Sequence, residues 1–262
     1  MLKSVWPLIK DVWPIGLLRL IRRNFIKKRN LSRANKQTVK LLKNDDGVLK
    51  TLARSVRYVY DMAVEGDIAE FGTMSGTTAV ILATAANHYN SVCVNDVRGT
   101  KRVFYFDSFE GLPKARFDID KNSHHVSTGL WGEGTCFGLD EFAFKKVVSK
   151  YLSQESFSVY KGFFKDTVPT IDKGQKFGLI HIDSDLYESA IDVLDSLFGN
   201  SQVSEGAVIL FDDWNCNAAS PLLGERKAFS EVCEKYDISF SDAGSYGVAS
   251  HRFIIHSYRS ST

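Results

Sequence analysis

Two stretches of this chain run apolar and then stop at paired carboxylates. FGLIHIDSD, residues 177–185, carries Leu179, Ile180 and Ile182 and ends at Asp183 and Asp185, and GAVILFDD, residues 206–213, ends at Asp212 and Asp213. Each has the continuous apolar, β-rich character of a strand covered on both faces. Between them, LYESAIDVLDSLFGNSQVSE places Leu186, Ile191, Val193, Leu194 and Leu197 on one helix that closes near Gly199. A strand, helix, strand unit makes its two strands parallel neighbours, with both acidic ends on one edge. At least three carboxylates then meet where open α/β sheets bind ligands, and such a cluster stays ionised only with a cation. Oxygen donors with no nearby Cys or His pattern favour a hard ion, Mg2+ ahead of Ca2+ or Mn2+. The competing account is helix capping, since Asp is a preferred N-cap residue. It explains one Asp well but not the second pair at the neighbouring strand end.

The other elements must bring a ligand to that edge. GDIAEF, residues 66–71, reads as a first strand ending near Glu70, followed by the turn GTMSGTT and the apolar helix AVILATAANHY. Gly72 and Gly76 give a G-x-x-x-G turn, which lets the backbone approach a nucleotide-like ligand. KRVFYFD, residues 101–107, is a second strand whose terminal Asp107 is placed to accept hydrogen bonds from ribose hydroxyls; the turn SFEGLP after it stops at Pro113. Residues 35–65 read as helical with a break at Gly47, and lead into the sheet. The polar, glycine-rich region 117–144 reads as a loop or lid over the site, with His124, His125, Trp131 and Glu133 as candidates for acceptor contacts. Each His is read first as an exposed loop residue. A helix is expected over 140–151, a strand over 156–160, a turn at Gly162, and closing strands over 238–240 and 252–256. Trp214 and Asn215 either shape the acceptor pocket or, for Trp214, belong to the core.

Composition bounds the rest. At 262 residues and 44% hydrophobic content the chain can bury one substantial core, so a single main domain, residues 35–262, is expected. A net charge of +2 is too small to suggest a nucleic-acid partner. Cys93, Cys136, Cys216 and Cys233 lie far apart without a CxxC pair, which fits reduced thiols and a cytoplasmic location. Residues 1–34 form a basic amphipathic arm, in which positions 1–33 hold nine Lys or Arg against one acid, Asp11. Its apolar run is broken by Lys10, Asp11 and Pro14, so it neither spans a bilayer nor resembles a signal peptide. Two placements stay open: peripheral contact with an anionic inner membrane face, or packing on its own domain or on a second subunit of a homo-oligomer.

Five blocks, EFGTMSG, FDSFEGLP, VYKGFFKDTVP, HIDSDLYES and GAVILFDDWN, in this order and spacing, resemble the macrocin/mycinamicin/novobiocin O-methyltransferase family. These are TylF-type, metal-dependent S-adenosylmethionine enzymes that methylate sugar hydroxyls. The resemblance covers residues 66–215 and implies an α/β class I methyltransferase fold: a Rossmann-like, mostly parallel seven-stranded sheet with a terminal antiparallel strand and helices on both faces. It implies that Glu70, Gly72 and Gly76 surround the methionine part of S-adenosylmethionine, with Phe71, Ser75 and Thr77 in the same turn among its contacts. It further implies that Asp107 and Ser108 hold the ribose, that Gly162 and Phe163 lie near the adenine, and that Asp183 also borders the cofactor. Mg2+ is implied at Asp183, Asp212 and Asp213, with Asp183 doubling as general base. The arm has no obvious counterpart in the family core.

The chemistry agrees with the residues. Methyl transfer from a sulfonium is an in-line displacement, so the enzyme must align the oxygen with the methyl carbon and take up the hydroxyl proton. An aspartate with a pKa of about 3.9 is a feeble base for an alcohol unless a shared metal first acidifies that alcohol. The expected acceptor is a sugar-containing small molecule. A catechol-type phenolic methyltransferase, a Mg2+-dependent α/β hydrolase and a non-catalytic membrane-bound module are the rival readings.

Overall fold

In the computed structural model of the chain, residues 47–93 and 99–259 are described; the arm, 1–34, and the first part of the expected helical region lie outside them. Helix α1 (Gly47–Asp61) repeats its apolar residues at helical spacing and buries Leu49, Leu52, Val56, Val59 and Tyr60 against the sheet. The chain then runs β1 (Asp67–Phe71), α2 (Thr77–Cys93), β2 (Val103–Asp107), α3 (Asp118–Lys121), α4 (His124–Ser127), α5 (Glu141–Val148) and β3 (Phe157–Lys161). It continues through α6 (Phe164–Thr167), β4 (Phe177–Ile182), α7 (Tyr187–Gly199), β5 (Val203–Phe211), α8 (Gly224–Tyr236), β6 (Ser239–Ser245) and β7 (His251–Ser257).

The strands form one sheet in the order β3-β2-β1-β4-β5-β7-β6. Strands β1 to β5 pair in parallel, β7 runs antiparallel to β5, and β6 antiparallel to β7. This is the expected class I, Rossmann-like α/β arrangement, and its centre is the β4–α7–β5 unit read from the two acidic stretches. Every residue of β4 is buried, because both faces are covered. On one face Ile68, Tyr105, Leu179 and Leu210 pack with α1, α2 and α5. On the other, Phe71, Phe106, Ile180 and Phe211 pack with α7 and α8.

The ladder continues one residue past the strand ends. Gly72 N–H donates to the Phe106 carbonyl at 2.9 Å, Asp183 N–H to Phe71 at 2.8 Å, Asp212 N–H to Ile182 at 2.9 Å and Gly162 N–H to Asp107 at 3.0 Å. Those bonds set Gly162, Asp107, Gly72, Asp183 and Asp212 in one row along the carboxyl edge of the sheet.

Two elements differ from the sequence expectation. Region 117–144 was expected to be loop, yet it holds α3 and α4; both lie before Gly129, where no glycine interrupts the chain, and Ser123 caps α4 by accepting from Val126 N–H at 3.3 Å. Strand β6 runs on to Ser245, further than 238–240, because it is a polar edge strand with no apolar alternation to mark it. Among the described residues no helix is long and apolar enough to cross a membrane.

Candidate active site

A cavity of about 530 Å3 opens along the carboxyl edge, a size suited to a small-molecule ligand. At one end stands the glycine turn. Gly72 takes φ +92°, and a Cβ there would sit 1.9 Å from the Asp183 carbonyl oxygen, so only glycine lets the β1 turn pass so close to the β4 loop. Asp107 locks this turn from the neighbouring strand. Its Oδ2 accepts from Thr73 N–H (2.7 Å), Thr73 Oγ1 (2.9 Å) and Met74 N–H (3.1 Å), and its Oδ1 from Phe109 N–H (2.6 Å). Oδ1 keeps room for a further donor from a ligand. Ser108 closes its own turn, donating to the Gly111 carbonyl at 2.7 Å and accepting from Glu110 N–H.

At the other end lie the carboxylates. Asp183, Asp185 and Asp213 each bring an oxygen within 4.8 Å of the other two. Burial, then the charges of Asp212 and Asp213, pushes the Asp183 carboxyl well above the usual range. Burial, then Asp213 and Asp212, does the same to Asp185, and burial with Asp212 raises Asp213 to about 6. So many partly buried acids packed together cannot all be ionised at neutral pH without a compensating positive charge. Among the described residues Asp213 Oδ2 is buried and has no hydrogen-bond partner, which leaves it open to a cation. The donor set is oxygen-only and therefore fits Mg2+.

Glu225, at the N-terminal end of α8 and 1% exposed, ties the two acidic loops together. Its Oε2 accepts from Asp213 N–H at 3.0 Å, and its Oε1 from Ser184 N–H and Oγ at 3.4 and 3.3 Å. Asp183 and Asp185 do not cap the following helix. That task falls to Asp120 of α3, whose Oδ1 accepts from Tyr187 N–H at 2.7 Å and whose Oδ2 accepts from Glu188 N–H at 3.0 Å. The capping account of the two aspartates is thereby removed.

Residues 109–140 form a strap over this edge. Leu139 N–H donates to the Met74 carbonyl at 2.8 Å, and Gly138 lies so close that a Cβ would sit 1.9 Å from that oxygen. Arg116 pairs with the buried Glu188 through Nε at 2.9 Å, and His125 Nδ1 lies 2.9 Å from Asn217 Oδ1. Trp131 is buried and stacks on His125, with centroids 4.3 Å apart. Trp131 and Cys136 lie against Asp185 and favour its charged form by hydrogen bonding.

Of the residues singled out from sequence, Gly72, Asp107, Ser108, Gly162, Phe163, Asp183 and Asp212 line the cavity. The turn residues differ. Glu70 is fully buried and reaches His181 Nδ1 at 3.1 Å across the β1–β4 register, so it faces the core. Burial alone would lower the His181 pKa, but the Glu70 hydrogen bond and charge outweigh it and hold that imidazole above its ordinary value. Phe71 is core as well, stacked on Phe106 at 4.6 Å. Ser75 and Thr77 hydrogen-bond to each other at 3.0 Å at the start of α2, and Gly76 packs toward Leu139 and Phe144. In the acidic cluster, Asp185 stands where Asp212 was expected: Asp185 takes a left-handed turn (φ +60°) that carries it back toward Asp213, while Asp212 accepts from Ser250 Oγ at 3.1 Å. Glu133 lines the cavity, but Trp131 acts through Asp185 and His124 is not among the lining residues. Trp214 belongs to the core with Phe211, Phe229 and Phe253 and lies under the Arg226 guanidinium, which also holds Asn215.

The sequence pattern of the Macrocin-O-methyltransferase (TylF) family matches residues 45–232. The chain is similar to 8-demethyl-8-(2,3-dimethoxy-alpha-L-rhamnosyl)-tetracenomycin-C 4'-O-methyltransferase of Streptomyces olivaceus, 26% identical over 194 residues that span 73% of this chain and 67% of that protein. It is similar to demethyldecarbamoylnovobiocin O-methyltransferase of Streptomyces niveus, 26% identical over 191 residues, 71% of this chain and 68% of the relative. Its fold is similar to the solved structure of the O-methyltransferase NovP, with a TM-score of 0.64 and 22% identity over 82% of this chain and 80% of that one. With most of its length covered by the family pattern, the chain belongs to the TylF macrocin-O-methyltransferase family.

Proposed function

We propose that this protein moves a methyl group from S-adenosylmethionine to a hydroxyl of a sugar or glycosylated metabolite, with Mg2+ held by Asp183, Asp185 and Asp213 beside Asp212. The observation that carries the reading is one continuous cavity that joins the Gly72 turn and Asp107 to this acidic group. Both relatives by sequence are named for O-methylation, one of them on a rhamnosyl group, which supports a sugar acceptor here. S-adenosylmethionine would lie along Gly72, Asp107, Ser108, Gly162 and Phe163 and supply an activated methyl on sulfur. Mg2+, when bound, supplies positive charge that keeps the carboxylates ionised and lowers the pKa of a coordinated hydroxyl.

The chain's own residues do the remaining work. Gly72 permits close approach of the donor, and Asp107 holds the glycine turn in the shape that receives it. Asp183, central in the row between Gly72 and Asp212, is the acceptor for the hydroxyl proton, and Glu225 fixes the two loops that present the acids. The strap, anchored at Met74, α7 and Asn217, shields the reacting atoms from water. A hydrolase built on the same acids has no use for the glycine turn locked by Asp107. The test is mass spectrometry of sugar-containing metabolites incubated with the protein and methyl-labelled S-adenosylmethionine. A labelled methyl ether on a sugar oxygen is expected, and label confined to phenolic oxygens would move the acceptor to the catechol class.

A further inference from the structure

The cavity has a corner that the methyl-transfer step itself does not use. Past Gly162 it is lined by both α6 and α7, and Leu112 and Pro113 of the strap, with Phe163 and Phe164, supply apolar walls. Phe164 is held there by an edge contact to Phe71, with centroids 5.8 Å apart. Apolar walls receive a flat aromatic ring, and the few polar groups among them decide which ring.

The polar groups of this corner are not equivalent. Glu188, in the first turn of α7, is already engaged, accepting from Arg116 N–H at 3.1 Å and from Arg116 Nε at 2.9 Å. Lys165 pairs with Asp166 at 3.5 Å. Asp192 lies four residues beyond Glu188, on the same side of α7, and lines the cavity. It is half-buried, and among the described residues its carboxylate has no hydrogen-bond or ion-pair partner. Burial, then the Glu188 charge, raises this carboxyl to about 6, so at neutral pH it is mostly an ionised acceptor. A half-buried acceptor in a ligand cavity is completed by a donor on the ligand, since leaving it unpaired costs free energy.

Resting on the reading of this cavity as the S-adenosylmethionine site, we propose that Asp192 accepts a hydrogen bond from the exocyclic amine of the adenine ring and so selects the adenosyl ligand over nucleosides that lack that amine. In that reading the ribose is held at Asp107, and the ring lies one strand further on, beside Gly162 and Phe163 and against the same apolar walls. An amine offers N–H donors to a carboxylate, whereas the hypoxanthine of the deaminated nucleoside presents a carbonyl oxygen at that position, which repels it.

The experiment is calorimetric binding of S-adenosylhomocysteine and of its deaminated counterpart, S-inosylhomocysteine, to the full-length wild-type chain, Asp192→Asn and Asp192→Ala. The wild type should prefer the adenosyl ligand by about 10- to 100-fold, the effect of leaving a hydrogen bond to a charged group unmade. In Asp192→Asn the preference should vanish or reverse, because the Asn amide can donate to the carbonyl oxygen, and in Asp192→Ala it should fall toward unity. A purely structural role for Asp192 would weaken both ligands alike and leave their ratio unchanged. Equal binding of the two ligands by the wild type, or the same ratio in all three chains, overturns the inference while leaving the cofactor site standing. A wild-type chain that binds neither ligand removes the cofactor site itself, and this inference with it.

Discussion

Removing the Asp120 carboxylate should uncouple the strap from α7, and the structure sets the size of the effect. Asp120 is 2% exposed and accepts two backbone N–H bonds, from Tyr187 at 2.7 Å and Glu188 at 3.0 Å. Losing an N-cap costs about 0.5–2 kcal/mol, and a bond to a charged acceptor is worth about 1.5–3 kcal/mol. The two bonds would then suggest about 3–6 kcal/mol. The sum is reduced because burial raises the Asp120 pKa, so keeping that acid ionised itself costs stability, and because water can reach part of the first turn once the side chain is gone. A net loss of about 2–3 kcal/mol follows, or a fall in Tm of about 4–12 °C for a domain of this size. Asp120→Asn, which keeps one acceptor oxygen, should lie between Asp120→Ala and the wild type. Thermal unfolding followed by circular dichroism at one pH and protein concentration measures all three. A shift for Asp120→Ala within experimental scatter would refute the reasoning, since it would mean that α7 draws its cap from another residue, with Asp183 and Asp185 the nearest.

Other expectations are as direct. Asp107→Ala should weaken S-adenosylhomocysteine binding by about 1–3 kcal/mol in calorimetry, because it frees Thr73 and Met74 N–H as well as removing an acceptor from the ligand; unchanged affinity would put the ribose elsewhere. Asp213→Asn should regain part of its activity in excess Mg2+ by mass action, whereas Asp183→Asn, which also loses the proton acceptor, should stay about 10²- to 10⁴-fold down; equal rescue of the two would remove the base assignment. The Asp192 carboxyl, on the cavity wall, is raised to about 6 by burial and by Glu188. A raised acid binds its proton more tightly folded than unfolded, so its contribution to stability falls as pH rises from about 4 to 6. Asp192→Asn should therefore gain on the wild type across that window, and a constant difference in Tm from pH 4 to 7 would contradict the assignment.

Strand β4 and its acidic end were legible because a strand covered on both faces has an unbroken apolar run that must stop where the chain reaches solvent. Which carboxylate points where was not. Beyond the strand end, direction depends on single backbone angles, and the left-handed turn at Asp185 brings that residue to Asp213 in place of Asp212. Glu225 gave no distinct signal, since an acid in the first turn of a helix is common for dipole reasons alone, and only the fold brings it to Ser184 and Asp213. Glu70 had a signal that pattern reading passes over. It and His181 are polar residues inside two apolar strands, and residues that cannot be buried unpaired must find each other; in the β1–β4 register they do.

The most direct test of the whole account is transfer of labelled methyl from S-adenosylmethionine to sugar hydroxyls, using a panel of glycosides and nucleotide sugars. It should be run on the wild-type chain with Mg2+, after chelation, and after Mg2+ is restored. The account predicts incorporation with Mg2+, loss of at least about 10²-fold on chelation, and recovery on readdition. Full transfer by the chelated protein would contradict a catalytic role for the acidic triad, and failure to bind S-adenosylhomocysteine at all would contradict the cofactor site along Gly72 and Asp107.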